Sequence, residues 1–141
     1  MAGRRLPILP KRLLDFSNIA VSGSGQTIVI ADRIELLDWR ELTLVLRVHS
    51  HNVASTNTIE IHLQNTSRSD EDPSLDFIGS QIASFPLITS STPIPSLFEI
   101  AVPTTGMDCV ADLARINARG TRNAAATISA LVTLEFSTKD A

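Results

Sequence analysis

Apolar residues recur at every second position along much of this chain, most clearly from Glu41 to Gln64. Leu42, Leu44, Leu46 and Val48 alternate with Thr43, Val45, Arg47 and His49. After a polar interval, Ile59, Ile61 and Leu63 alternate with Thr58, Glu60, His62 and Gln64. Period two is the strand period, because successive side chains point to opposite faces of a sheet. Two such runs, split by a loop of Ser, Asn, Thr and His, predict a β-hairpin with one buried face. Aligning the apolar sets puts Val48 opposite Ile59, Leu46 opposite Ile61 and Leu44 opposite Leu63. Arg47 then falls opposite Glu60 on the outer face, a favourable cross-strand pair. A slip of one residue would turn the whole apolar set to water.

The same reading extends in both directions. Phe16 to Val21 predicts a short strand, Ser22-Gly23-Ser24-Gly25 a turn, and Gln26 to Ala31 a strand with Ile28 and Ile30 on one face. Asp32 to Asp38 reads as a turn or a single helical turn that delivers Trp39, whose ring would plug one end of the core. Asn65 to Asp76 is polar, acidic and broken by Pro73, hence a loop. Phe77 to Phe85 predicts a strand in which Gly79 marks a bulge or a close approach. Pro86 to Pro95 is a second long connection. Ser96 to Val102 is a strand with Phe98, Ile100 and Val102 on one side, and Pro103 to Gly106 a turn. Cys109 to Ala118 is a further strand, its inward set either Val110, Ala114 and Ile116 or Ala111 and Leu113. Gly120 to Asn123 turns the chain into the last strand. There Ala126, Ile128, Ala130, Val132, Leu134 and Phe136 alternate with more polar neighbours. About eight strands and almost no helical period make the chain all-β: a single antiparallel β-sandwich or jelly roll spanning residues 16–141.

Residues 1–15 break the pattern. Pro7 and Pro10 hold the backbone extended. Arg4, Arg5, Lys11 and Arg12 are interleaved with Leu6, Ile8, Leu9, Leu13 and Leu14. So much apolar surface would be exposed on a solvated tail, which predicts an N-terminal arm that docks on a partner. An arm packed on its own domain, or a disordered terminus, is the alternative.

Charge sharpens this division. The 141 residues carry a formal net charge of −3, from 12 basic and 15 acidic residues. Four of the basic residues lie in the first twelve positions, and the body from Leu13 onward is distinctly acidic. A basic tip on an acidic body suits docking better than a nucleic-acid-binding face. Arg115, Arg119 and Arg122 form at most a small patch, and the strands lack the stacked aromatics of an RNA-binding sheet. A length of this order suits one domain with its own core. No apolar run is long enough for a signal peptide or a membrane helix. The single cysteine, Cys109, excludes an internal disulfide and suits a small core residue, so synthesis in a cytoplasm is the simplest expectation.

Candidate chemistry is sparse. In the hairpin register His62 falls four residues from the level of His49, roughly 13 Å at strand rise. That is too far for His49, His51 and His62 to share a zinc ion, whose nitrogen ligands lie about 2 Å away. Asp70, Glu71, Asp72 and Asp76 could offer oxygens to calcium, but lack the spacing and glycine of an EF-hand. No G-x-S-x-G elbow is present, and Ser22-Gly23-Ser24-Gly25 lacks the lysine and helix of a phosphate loop. Asn65-Thr66-Ser67 is a glycosylation sequon, relevant only to a secreted chain. One Trp and no Tyr leave few platforms for stacking sugars. The sequence therefore assigns no catalytic residue, no metal site and no cofactor.

Four features together resemble a family of small structural proteins of tailed bacteriophages, of the capsid decoration or cement type. They are the pattern W-x-x-L-x-L-x-L-x-V from Trp39 to Val48, T-I-E-I from Thr58 to Ile61, the late strand Leu113-Ala114-Arg115-Ile116, and Gly120-Thr121 leading into the alternating C-terminal strand. The resemblance covers roughly residues 39–137 at the level of pattern. It implies a dimer or trimer seated on a capsid or other lattice protein, with arms across neighbouring subunits. The protein would then be part of a virion assembled in a host cytoplasm, with neither membrane nor nucleic acid as partner. It transfers no individual functional residue. The leading expectation is thus a non-enzymatic decoration protein whose residues 2–14 can be removed without unfolding the body. A major coat protein of a small particle, and a glycan- or ligand-binding adhesion module using the loops at 65–76 and 86–95, are the alternatives.

Overall fold

The computed structural model describes residues 4–20, 23–35, 39–67, 77–102 and 113–140. They form eight strands: β1 (Arg4–Asp15), β2 (Ser24–Glu35), β3 (Trp39–Val53), β4 (Thr58–Ser67), β5 (Phe77–Ser84), β6 (Ser96–Val102), β7 (Leu113–Arg122) and β8 (Ile128–Asp140). Two four-stranded sheets have the orders β1-β8-β3-β6 and β2-β7-β4-β5, and every pairing is antiparallel. The pairs β1·β8, β2·β7, β3·β6 and β4·β5 are the rungs of one long antiparallel ribbon whose tip is β4–β5. Wound so that successive rungs alternate between sheets, this ribbon is a jelly roll. The all-β sandwich expected from the alternation is the fold observed.

The core lies between the sheets. Leu42, Leu44, Leu46 and Val48 of β3 and Ile128, Ala130, Val132, Leu134 and Phe136 of β8 face Ile59, Ile61 and Leu63 of β4 and Ala114, Ile116 and Ala118 of β7. For β7 this settles the inward face as the set containing Ala114 and Ile116. Fully burying a Leu, Ile or Phe side chain stabilises by roughly 1.5–3 kcal/mol, so these four strands hold the sandwich together.

The expected β3–β4 hairpin does not exist. β3 and β4 lie in opposite sheets, and residues 54–57 arch across the core between them. Leu46 pairs with Phe98 and Leu134, while Ile61 pairs with Ala118. Arg47 therefore meets Glu135 of β8, and the residue opposite Glu60 is Arg119 of β7. Both arrangements bury the same alternate residues, so the alternation alone cannot separate them. The arch is held by a residue that has no hydrophobic signature. Asn57 is fully buried; its Oδ1 accepts from the backbone N–H groups of Asn123 (2.8 Å) and Ala124 (2.9 Å), and its Nδ2 donates to the Ala126 carbonyl (3.3 Å). Ser55 supplies the tight bend with φ 59°.

Several boundaries move. Phe16 to Ala20 is a turn segment rather than a strand: the Ser17 N–H donates to the Asp15 carboxylate (2.9 Å), and Phe16 swings inward. The Ser17 hydrogen bonds hold the Asp15 carboxyl below its usual range. The Phe16 ring lies against the backbone of Gly120, where an added Cβ would stand 2.3 Å from ring carbon Cγ. Gly120 is thus a strand residue chosen for close approach, not the start of a turn, and β7 continues to Arg122. β2 begins at Ser24 and continues to Glu35, through part of the expected turn or helical turn at 32–38. Gly23, at φ 83°, makes the bend before it. β4 likewise runs on to Ser67, into the expected loop. In β5 the expected bulge at Gly79 is present: Thr66 pairs with Ile78 and Gln64 with Gln81, so Gly79 and Ser80 stand against a single residue of β4. The Trp39 ring, Cys109 and the acidic residues 70–76 lie outside the described residues and side chains.

Candidate functional site

The segment expected to be a docking arm is the first strand of the sandwich. β1 pairs with β8 from Arg4↔Thr138 to Asp15↔Ser129. Leu9 and Leu14 are buried in the core and Leu6 and Ile8 pack against it, whereas Arg5, Lys11, Arg12 and Leu13 face solvent. The side chain of Arg4 is outside the described set. A boundary at residue 15 therefore does not separate an arm from a body: residues 4–15 are an edge of the fold, with Arg5, Lys11, Arg12 and Leu13, the last 59% exposed, on its surface. The apolar residues divide between core and surface because an edge strand has one buried face and one wet face.

A sandwich of two open sheets has four edge strands, and unpaired edges invite association. Here those edges differ. β1 carries two register shifts against β8, two prolines, and the cations Lys11 and Arg12. β2 and β5 each carry two register shifts as well. β6 carries none. It pairs with β3 residue for residue from Leu42↔Val102 to Val48↔Ser96, and its sequence SLFEIAV holds neither proline nor cation. Its burial alternates as expected: Phe98, Ile100 and Val102 lie inward, and Leu97, Glu99 and Ala101 outward.

Beside β6 the outer surface dips. Arg47, Val48, His49, Pro95, Ser96 and Leu97 line an open depression of about 240 Å³. Leu97, 56% exposed, forms its apolar rim, and Ile94, 54% exposed, precedes the lining residue Pro95. The Arg47 guanidinium is bonded to the Glu135 carboxylate and the His49 ring to the Thr133 hydroxyl (3.1 Å), which fixes both walls. Glu99, one pair further along β6, has no hydrogen-bond or ionic partner among the described residues. Periodicity alone does not distinguish this edge, whose only sequence signal is the run SLFEIAV between Pro95 and Pro103.

The histidines are divided between sheets. His49 and His51 are on β3, where the His51 ring meets the Thr92 carbonyl (2.7 Å). His62 is on the outer face of β4. The sheet-to-sheet separation, not the supposed hairpin register, is what keeps them apart. No group of three or more His, Cys, Asp or Glu that could hold a metal occurs among the described residues. His62 takes part in a compact polar row: Asn117 Nδ2 donates to His62 Nε2 (3.2 Å) and to Gln64 Oε1 (2.8 Å), and His62 Nδ1 lies 3.3 Å from the Glu60 carboxylate. Burial lowers the His62 pKa from its usual value, and the Glu60 charge opposes that shift. The three late arginines are tied within the chain rather than gathered into a patch. Arg115 reaches Asp32 (3.6 Å), Arg119 donates to the Thr27 hydroxyl (3.2 Å), and Arg122 to the carbonyls of Ser17 and Ile19. Among the described residues no helix is long and apolar enough to cross a membrane.

No family model matches this sequence, and no curated protein does. A solved structure does match in fold: a chain in the structure of infectious bursal disease virus, Gx strain. The two share 10% identity at a TM-score of 0.52, over 97% of this chain and 30% of that one. This chain thus spans about a third of its neighbour's length, and at that identity the likeness is one of fold. The strand topology defines the class as an eight-stranded, two-sheet jelly roll, and the neighbour is similar to it in fold.

Proposed function

We propose that this chain is a non-enzymatic structural protein of a virion, of the decoration or cement type, which stabilises a shell by associating with itself and with a capsid or other lattice protein. The observation that carries this reading is the jelly roll itself, matched over nearly the whole chain by a component of a virus structure. Fold likeness alone is an argument by analogy; the surface of β1 gives it chemical content. Arg5, Lys11 and Arg12 offer charge to acidic ground on a neighbour, and Leu13 offers an apolar contact beside them. Assembly would take place in a host cytoplasm, with neither membrane nor nucleic acid as partner.

Quantitative mass spectrometry of the purified particle tests the reading. The chain should occur in a fixed ratio to the principal shell protein, and its absence from the particle would overturn the proposal. Replacing Arg5, Lys11 and Arg12 by Glu should lower that ratio while the fold persists. Expression of the chain alone separates the coat-protein alternative: small oligomers are expected by light scattering and electron microscopy, and closed shells would make it the coat. An adhesion module would instead show a melting temperature raised by glycans or calcium.

A further inference from the structure

We infer that the outer edge of β6, which no other described strand pairs, is a self-association site at which two copies of this chain join through a two-fold axis, β6 against β6, into a continuous eight-stranded sheet. The inference deepens the self-association in the reading above, but it is argued from β6 alone. A strand added to a sheet edge needs an unbroken series of outward N–H and C=O groups. Bulges and prolines interrupt that series, and three of the four edges carry bulges. β6 alone is in regular register throughout. A second copy brings an edge of the same regularity, and an antiparallel strand facing itself satisfies the self-complementarity of a two-fold interface.

Charge selects the register. Glu99 opposite the partner's Glu99 would set like charges face to face. Phe98 opposite the partner's Phe98 avoids this and places Leu97 opposite the partner's Glu99. On β3, the residue paired with Leu97 is Arg47. The partner's Glu99 then stands two strands from Arg47, roughly 10 Å between backbones, a span that an arginine and a glutamate side chain close together. Its carboxylate would enter the depression walled by Arg47 and His49, under the rim formed by Leu97. The two-fold repeats the contact, so two carboxylates without a partner among the described residues each gain a cation. Arg47 keeps its diagonal partner Glu135 on its other side, and so stands between two carboxylates, that of Glu135 and that of the partner's Glu99.

A different account of the same residue is that Glu99 keeps the edge from pairing at all. The two accounts predict opposite effects of one substitution. Sedimentation equilibrium of the full chain should show a dimer. Glu99→Ala should weaken it several-fold and Glu99→Arg at least tenfold, and the swap Arg47→Glu with Glu99→Arg should recover most of the loss. Circular dichroism melts of each variant, Arg47→Glu included, establish that the fold is intact. A monomer at all concentrations, a tighter dimer in Glu99→Ala, or an oligomer indifferent to Glu99→Arg would each overturn the inference. Occupancy on the particle is measured separately, so the β6 dimer and the virion reading can each fail while the other stands.

Discussion

β1 and β6 close the two ends of one sheet, and the chain has treated them in opposite ways. β1 is twelve residues long, twice bulged and twice interrupted by proline; Lys11 and Arg12 face water, as does Leu13. The bulges, the prolines and the cations each obstruct a further strand. β6 is seven residues long, regular, and carries one charge. The difference teaches that a sheet end can be offered in two chemically distinct forms. β1 presents side chains from a backbone that cannot be extended, which suits contact with an unlike surface. β6 presents the backbone itself, which suits another strand.

The largest expected effect tests whether β1 belongs to the fold. Leu14→Ala should cost about 2–5 kcal/mol, because Leu14 is fully buried and its removal leaves a cavity. Leu13→Ala, one residue away but facing solvent, should stay within about 0.5 kcal/mol. Urea denaturation measures both, and equal costs would show that β1 is not held by its inward face. The same burial alters what truncation means. Removing residues 2–14 would take Leu9 and Leu14 from the core and strip β8 of one of its two partner strands. Unfolding is therefore the expected outcome, not the intact body that an arm would leave behind.

A second experiment tries to turn β1 into a β6. Replacing Pro7, Pro10, Lys11 and Arg12 by Thr removes the interruptions and the charge while leaving Leu9 and Leu14 in place. Light scattering should then report species larger than the parent protein, formed through the new edge. An unchanged mass would mean that the two register shifts are sufficient to blunt the strand. A smaller intervention applies one change to both edges. Leu97→Glu, which sets a like charge opposite the partner's Glu99 and competes for Arg47, should dissociate the self-associated form without lowering stability by more than about 0.5 kcal/mol, as for other exposed positions. Leu13→Glu should leave the oligomer untouched, since it lies at the other end of the sheet. If both act alike on the oligomer, the distinction between the edges is wrong.

How much of this was legible beforehand depends on whether the relevant physics is local. Alternation at Leu44, Leu46 and Val48, at Ile59, Ile61 and Leu63, and from Ile128 to Phe136 correctly named the core-facing residues, because the side-chain period of a strand is set within the strand. Which strand pairs with which is not local. The arch at 54–57 and a hairpin turn are compatible with the same apolar residues, and they differ in where Asn57 puts its amide. Leu9 and Leu14 read as apolar residues of a tail because β8, their partner, lies more than a hundred positions away in the sequence. Alternation sets Arg47 opposite Glu60 for the same reason, whereas its partner is Glu135. The regular edge of β6 was hidden more deeply still: regularity is a property of the ladder, seen only against the shifts in β1, β2 and β5.

The smallest effect separates edge from body. His62 sits on the other sheet, in the row with Glu60, Gln64 and Asn117, away from both edges compared above. Burial, the largest influence on it, lowers its pKa in the folded state below the unfolded value, about 6.5. The unfolded chain therefore binds more protons over that window, and stability rises with pH. Asn117 Nδ2 donating to Nε2 fits the neutral ring, with its proton on Nδ1 toward Glu60, and a charged ring would set two donors face to face. Acidification from neutrality through about pH 6 should lower the melting temperature, and His62→Gln should flatten that part of the profile. Variants of Leu13 and Leu97 should shift the whole curve without altering its slope. A slope that changed with either edge variant would mean that the oligomer, rather than the row around His62, senses the proton. The two ends of the first sheet could not then be treated as independent of the second.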